Sequence, residues 1–287
     1  MHRCLFIEGL PGSGKTTFSK RLQKYYENRG FRVKRYSEGD LHPIDLAWIA
    51  ILDEKSYRDM LRKYPKLSAM IRSHTKKEHD RYYVAYAKIR ALKEYPDFYK
   101  DFARFEIFRT EDYETFSNAF YSRWKHFGNH HDSDTIYIFE CVLLQNHVNE
   151  LVLKYGFQDD RLLTHLKKLL DCVRTLNPKI LYIAHHDVEE GMRRVAKERI
   201  SKKPGVYPDW FDVVVDYISS ERFAPEMGYT GEEGVLRFFS DRQVLEKKLL
   251  HRLETSFALH ILKSDYEDVW KAVQTDLDKS VRESNRS

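Results

Sequence analysis

Residues 9–16, Gly-Leu-Pro-Gly-Ser-Gly-Lys-Thr, constrain this chain more than any other stretch. They match the pattern G-x-x-x-x-G-K-[ST], and their setting counts as much as their identity. An apolar run, Cys4–Glu8, precedes them and reads as a short buried strand ended by Gly9. Residues 16–28 follow as a helix, with Phe18, Leu22, Tyr25 and Tyr26 on one face and Gly30 as the stop. Glycines let successive backbone N–H groups curl round an anion with no Cβ in the way. The helix start adds the positive end of its dipole. In such a cradle Lys15 reaches the β- and γ-phosphates of a nucleotide, and the Thr16 hydroxyl ligates Mg²⁺. The expected phosphate-binding set is therefore Gly9, Leu10, Pro11, Gly12, Ser13, Gly14, Lys15, Thr16 and Thr17. The competing reading is a glycine-rich turn that carries a surface lysine.

The rest of the chain alternates strands with helices. Residues 31–37 read as a second strand, 135–141 as a third, 180–184 as a fourth and Ser256–Leu262 as a fifth. Helices are expected at 146–155, 160–176, 188–202, 208–223, 232–253 and 265–278. Residues 45–127 read as a long helical stretch. Within it Phe98, Phe102 and Phe105, then Tyr113, Phe116, Phe120, Trp124 and Phe127, recur at steps of three and four. The pattern predicts an α/β fold, a doubly wound five-stranded parallel sheet, in one domain (1–287) with a helical insertion at 41–131. Ligands of such sheets bind at the carboxyl ends of the strands.

Composition narrows the function classes. At 287 residues with 42% hydrophobic and 32% charged, the chain can bury a core unaided. No stretch approaches the roughly 18 apolar residues that cross a bilayer. The opening MHRCLFIEGL lacks the pattern of a signal peptide. Cys4, Cys141 and Cys172 form no CxxC, which fits a reducing cytoplasm. Lys and Arg exceed Asp and Glu by 49 to 44, a net +5 that suits an anionic substrate. That excess is too small, and too evenly mixed with acids, for nucleic acid to be the leading partner.

The segment IEGLPGSGKTTFSKRL resembles the opening of P-loop kinases, in particular the nucleoside and nucleotide kinase-like group that includes thymidylate kinase. The shared pieces are Glu8-Gly9, the loop and the doubled Thr16-Thr17, and the likeness is confined to about the first forty residues. It implies a parallel sheet of order 2-3-1-4-5, with ATP and Mg²⁺ as cosubstrates. An acid just past the second strand of such kinases is similar in place to the catalytic base. Here Asp40 is the first choice, since Gly39 frees the backbone to aim it, and Glu38 the second. The alternative for Asp40 is a turn or helix-cap residue. Glu140 ends the third strand, where a carboxylate holds Mg²⁺ directly or through water. Two departures are plain. Cys141 stands where thymidylate kinase-like sequences often have Arg, and residues 37–40 are acidic where an acceptor-phosphate clamp would need Arg. Both argue against a nucleoside monophosphate acceptor and for an uncharged or cationic hydroxyl compound.

Charge on a transferring phosphoryl group calls for fixed cations. Residues 189–199, after the fourth strand, supply Arg193 and Arg194, with Gly191 as a hinge for a closing lid. The alternative is a solvated helix with ion pairs such as Glu190 with Arg194. The triplets His130-His131-Asp132 and His185-His186-Asp187 are poor metal sites, because adjacent loop residues rarely give two well-placed ligands. Asp187 remains a candidate for acceptor or Mg²⁺ contact. The aromatic helices read as core, or as the wall of an acceptor pocket with Arg104 and Arg109 at its polar end.

The expected function is ATP-dependent transfer of the γ-phosphoryl to a hydroxyl of a small molecule: a nucleoside, a sugar-like metabolite or an antibiotic. Alternatives are a nucleoside monophosphate kinase, and an NTPase switch or binding module with no acceptor. A polynucleotide-end kinase is a third rival. A guanine-reading N/T-K-x-D motif is absent from the late strand ends, which weakens the GTP version of the switch reading.

Overall fold

The computed structural model describes residues 1–202, 208–263 and 265–284, with the side chains of the last helix to residue 278. Its strands are β1 (Cys4–Glu8), β2 (Arg32–Tyr36), β3 (Ala50–Leu52), β4 (Thr75–Glu78), β5 (Arg81–Val84), β6 (Thr135–Glu140), β7 (Pro178–His185) and β8 (Ser256–Leu262). The helices up to the end of β6 are α1 (Lys15–Glu27), α2 (Glu54–Lys63), α3 (Ser68–Ser73), α4 (Phe98–Ala103) and α5 (Tyr113–His130). Those after it are α6 (Gln145–Leu153), α7 (Asp159–Cys172), α8 (Val188–Glu198), α9 (Trp210–Ser220), α10 (Ala224–Met227), α11 (Gly231–Arg252) and α12 (Tyr266–Ser284). The chain forms two compact units, residues 1–35 with 131–287, and residues 36–130.

The first unit is α/β. Its five-stranded sheet is all parallel, in the order β2-β6-β1-β7-β8, and is compatible with a doubly wound arrangement. β1 pairs with β6 through Leu5 and Ile138 on one side, and with β7 through Ile7 and Leu181 on the other. Every residue of β1, β6 and β7 is buried, as expected of central parallel strands covered on both faces. Leu5, Ile7, Ile138 and Ile183 share a core with Phe18 and Leu22 of α1 and with Val269 and Val273 of α12. The carboxyl ends of β1, β6 and β7 thus lie side by side, and each stops at an ionisable residue: Glu8, Glu140 and His185. No helix among the described residues is long and apolar enough to cross a membrane.

The second unit corrects the helical reading of residues 41–131. It holds a three-stranded antiparallel sheet of order β3-β5-β4, and its bounds are 36–130. Glu78 pairs with Arg81 across a two-residue turn in which His79 takes φ +53. The sequences TKKE and RYYV carry neither an alternating pattern nor strong β-formers throughout, so their pairing is set by context rather than by propensity. The aromatic spacing does mark real helices. Phe98 and Phe102 of α4 are buried in a core with Tyr64, Leu67 and Val84. Phe116, Phe120, Trp124 and Phe127 form the buried stripe of α5.

Candidate functional site

Local geometry builds the Gly9–Thr16 loop from its glycines. Gly9 has φ +140 and lies so close to β7 that a Cβ would come within 2.3 Å of the Ile183 carbonyl oxygen. Gly14 caps α1 at φ +88 and makes no side-chain cap bond. The amides of the first turn have no carbonyl four residues back, so this helix start presents donors without a built-in acceptor. The Ser13 hydroxyl is fully buried and has no hydrogen-bond partner among the described residues. Lys15 is only 8% exposed. Its ammonium donates to the carbonyls of Gly9 at 2.8 Å and Leu10 at 2.9 Å. Uncapped amides, an orphaned hydroxyl and a buried cation converge on one loop, a donor set suited to an anion with several oxygens.

Glu140 meets this loop from the end of β6. Its Oε2 accepts from Thr16 Oγ1 at 2.9 Å, and its Oε1 accepts from Ser19 Oγ and from Arg35 Nη1, the latter at 2.8 Å. The carboxyl group is 3% exposed, so these bonds rather than water satisfy its oxygens. Thr16 Oγ1 and Glu140 Oε2 form a pair of hard oxygen donors that fits Mg²⁺. Cys141, directly after Glu140, is held at φ +66, and its amide donates to the Ile7 carbonyl.

Behind the loop lies Glu8, which is completely buried. Its carboxylate accepts from the amides of Leu143 at 2.8 Å and Gln145 at 3.2 Å, and so fixes the turn that follows Glu140. Burial, with the nearby Glu246 adding to it, pushes the Glu8 carboxyl up to about 7, against the pull of those two amides and of Lys15. Glu246 is itself held by Arg242 at 2.7 Å and by the Tyr182 hydroxyl at 2.6 Å. Burial also pushes the His185 imidazole below its usual range, opposed by its bond to the Pro11 carbonyl and reinforced by Arg194 and Lys15.

The structure brings together Gly9 to Thr16 with Glu140, as the sequence anticipates, and exposes Thr17 at the side of α1. The lid residues fare differently. α8 runs unbroken through Gly191, so that glycine is no hinge. It is there for space, since a Cβ would lie 2.6 Å from His185 Nδ1. Arg193 is turned to Glu189 at 2.9 Å and Glu233 at 3.1 Å. Arg194 is half-buried on the His185 side. Asp187 is the N-cap of α8, accepting from the Glu190 amide at 2.9 Å. In the second unit Asp40 accepts from the Ser37 amide at 2.7 Å and pairs with Lys88 at 2.9 Å. Glu38 there accepts from the Trp48 indole at 2.9 Å. Arg104 pairs with the buried Asp101, and Arg109 is exposed. Among the described residues no group of three or more His, Cys, Asp or Glu converges on a common point, the two His-His-Asp triplets included.

Sequence reasoning passed over Arg35, Ser19 and Tyr266, and weighed His185 only as a metal ligand. Two signals point to the first pair. Arg35 shares a strand face with the inward Val33, and Ser19 lies three residues after Thr16 on one helix face. No protein-family model matches the chain, and no curated protein matches it.

Proposed function

We propose that this protein is an ATP-dependent phosphotransferase that moves the γ-phosphoryl group to a hydroxyl of a small molecule. One observation carries the reading: the buried Lys15 ammonium, held on its own loop's carbonyls beside an uncapped helix start, with Thr16 bonded to Glu140. The sheet supports it. Counted within the parallel sheet alone, the order β2-β6-β1-β7-β8 becomes 2-3-1-4-5, the order implied by the resemblance to P-loop kinases. In this reading the loop amides and Lys15 bind the phosphates, and Thr16 and Glu140 hold Mg²⁺. Mg²⁺, when bound, neutralises charge on the phosphate oxygens. The acceptor oxygen forms the new bond to phosphorus, the bond to the ADP oxygen breaks, and the acceptor proton passes to Asp40 or Glu38. Arg194, and Arg193 if it leaves its ion pairs, steady the charge on the transferring group. A cytoplasmic location is part of this reading, since Cys4, Cys141 and Cys172 have no CxxC spacing.

Arg35 is the cation that could argue for a nucleoside monophosphate acceptor, but it is committed to Glu140. The decisive experiment has two stages. Calorimetry with Mg·ATP and Mg·GTP asks whether the loop binds a triphosphate, and absence of binding by both refutes the proposal. Incubation with ATP and panels of nucleosides, sugars and aminoglycoside-like compounds then seeks a product heavier by one phosphoryl group. Slow hydrolysis that ignores every panel would make the protein a switch instead.

A further inference from the structure

Four consecutive carbonyl oxygens of the Gly9–Thr16 loop each accept a hydrogen bond from a side chain. Lys15 serves Gly9 and Leu10. His185 Nε2 lies 2.8 Å from the Pro11 oxygen, and the Tyr266 hydroxyl donates to the Gly12 oxygen at 2.9 Å. A carbonyl oxygen carries no proton, so the bond to Pro11 requires the proton on His185 Nε2. The donors come from α1, β7 and α12, three elements far apart in the chain.

A trans peptide points its C=O and its N–H in opposite directions. Holding the Pro11 oxygen therefore aims the Gly12 amide to the other side. Holding the Gly12 oxygen fixes the next peptide, whose Ser13 amide closes a turn on Leu10 at 3.2 Å. A carbonyl left free to turn would present negative charge to an anion. Lys15 cannot keep both of its carbonyls and also serve phosphate oxygens with its full set of donors. Some other group has to hold the loop when Lys15 leaves.

We infer that His185 and Tyr266 are positioning residues that hold the loop's carbonyls away from the bound anion, freeing Lys15 for the phosphates. The inference rests on the phosphate-binding reading above. Both side chains are themselves fixed. The backbone of His185 is bonded on both sides to the Gln243 carboxamide, at 2.7 and 3.0 Å. Gly191 of α8 leaves the imidazole its place. The Tyr266 ring packs on Gly14 and meets Phe18 edge-on at 5.9 Å.

The test is calorimetry of Mg·ATP and of inorganic tripolyphosphate on the full chain, with thermal unfolding of each variant beside it. Tyr266→Phe keeps the ring and removes the bond, and is expected to weaken both ligands equally, by about three- to tenfold, at unchanged Tm. His185→Leu is expected to weaken them by about tenfold, and His185→Gln, whose amide can donate to Pro11, to recover to within about twofold of wild type. Gly191→Ala should weaken tripolyphosphate binding in the wild-type background and do nothing further in His185→Leu, the non-additivity of two changes acting through one side chain. Wild-type affinity for tripolyphosphate in both Tyr266→Phe and His185→Leu overturns the inference, as does a loss that His185→Gln fails to repair. No binding by the wild-type protein overturns the phosphate reading itself, and this inference with it.

Discussion

At the scale of single residues, charge placement separates those that bind from those that hold. Lys15→Ala removes the cation that bridges the loop, and is expected to abolish Mg·ATP binding by calorimetry while the far-UV circular dichroism stays that of the wild type. Asp40→Asn keeps an acceptor for the Ser37 amide but removes the proposed base, so on the proposed function turnover should fall by about a hundredfold or more with ATP affinity unchanged. Normal turnover would pass the role to Glu38. Glu8 makes a pH prediction. Its carboxyl titrates near 7 in the folded protein and near 4.5 when unfolded. A raised folded value means that the unfolded chain gives up this proton first as pH rises. The stabilisation is whole below about 4.5 and lost on the way through about 7. Denaturant titrations at pH 5 and pH 8 should show that Glu8→Gln removes up to about 3 kcal/mol of the wild-type loss between them. An identical pH dependence in both proteins would rule this out. The pairing of Thr16 with Glu140 was legible in the sequence, because a phosphate-loop pattern and a strand-ending acid each carry their own signal. The bond from Arg35 to Glu140 was only half legible: the alternation of RVKRY puts Arg35 on the face of Val33, but only the sheet places Glu140 opposite that face.

At the scale of elements, the same residue types take different duties according to where a helix starts. Asp187 follows β7 and caps α8. Asp187→Ala is expected to cost about 1 kcal/mol in denaturant unfolding and to leave nucleotide affinity alone. A lost affinity without lost stability would return Asp187 to the binding site. α8 itself shows why a lid could not be read from composition. Glu189 and Arg193 sit four apart and pair, the arrangement of an ordinary solvated helix face. The α5 stripe and the strands β1, β6 and β7 were readable because each has a strong period or a continuous apolar run. β4 and β5 were not, because TKKE is mostly Lys and Glu and RYYV is only four residues long, so neither stands out without its partner across the hairpin.

At the scale of the whole molecule, each unit has its own apolar core, one around Leu5, Ile138 and Phe18, the other around Tyr64, Phe98 and Phe102. Phe102→Ala is expected to cost about 3–5 kcal/mol, and hydrogen exchange should quicken across residues 36–130 while residues 131–202 keep their protection. Equal loss of protection in both would show a single cooperative body. The sequence by itself determined the parallel strands, most helix positions and the loop with its Lys15, because local period and backbone chemistry act within a few residues of one another. Only the tertiary structure decided that residues 36–130 carry a second sheet, that Arg35 and Ser19 share Glu140, and that His185 and Tyr266 reach the loop's carbonyls. Those partners lie up to 254 positions apart. No local preference encodes such a contact, and it exists only once burial of the apolar faces has brought the elements together.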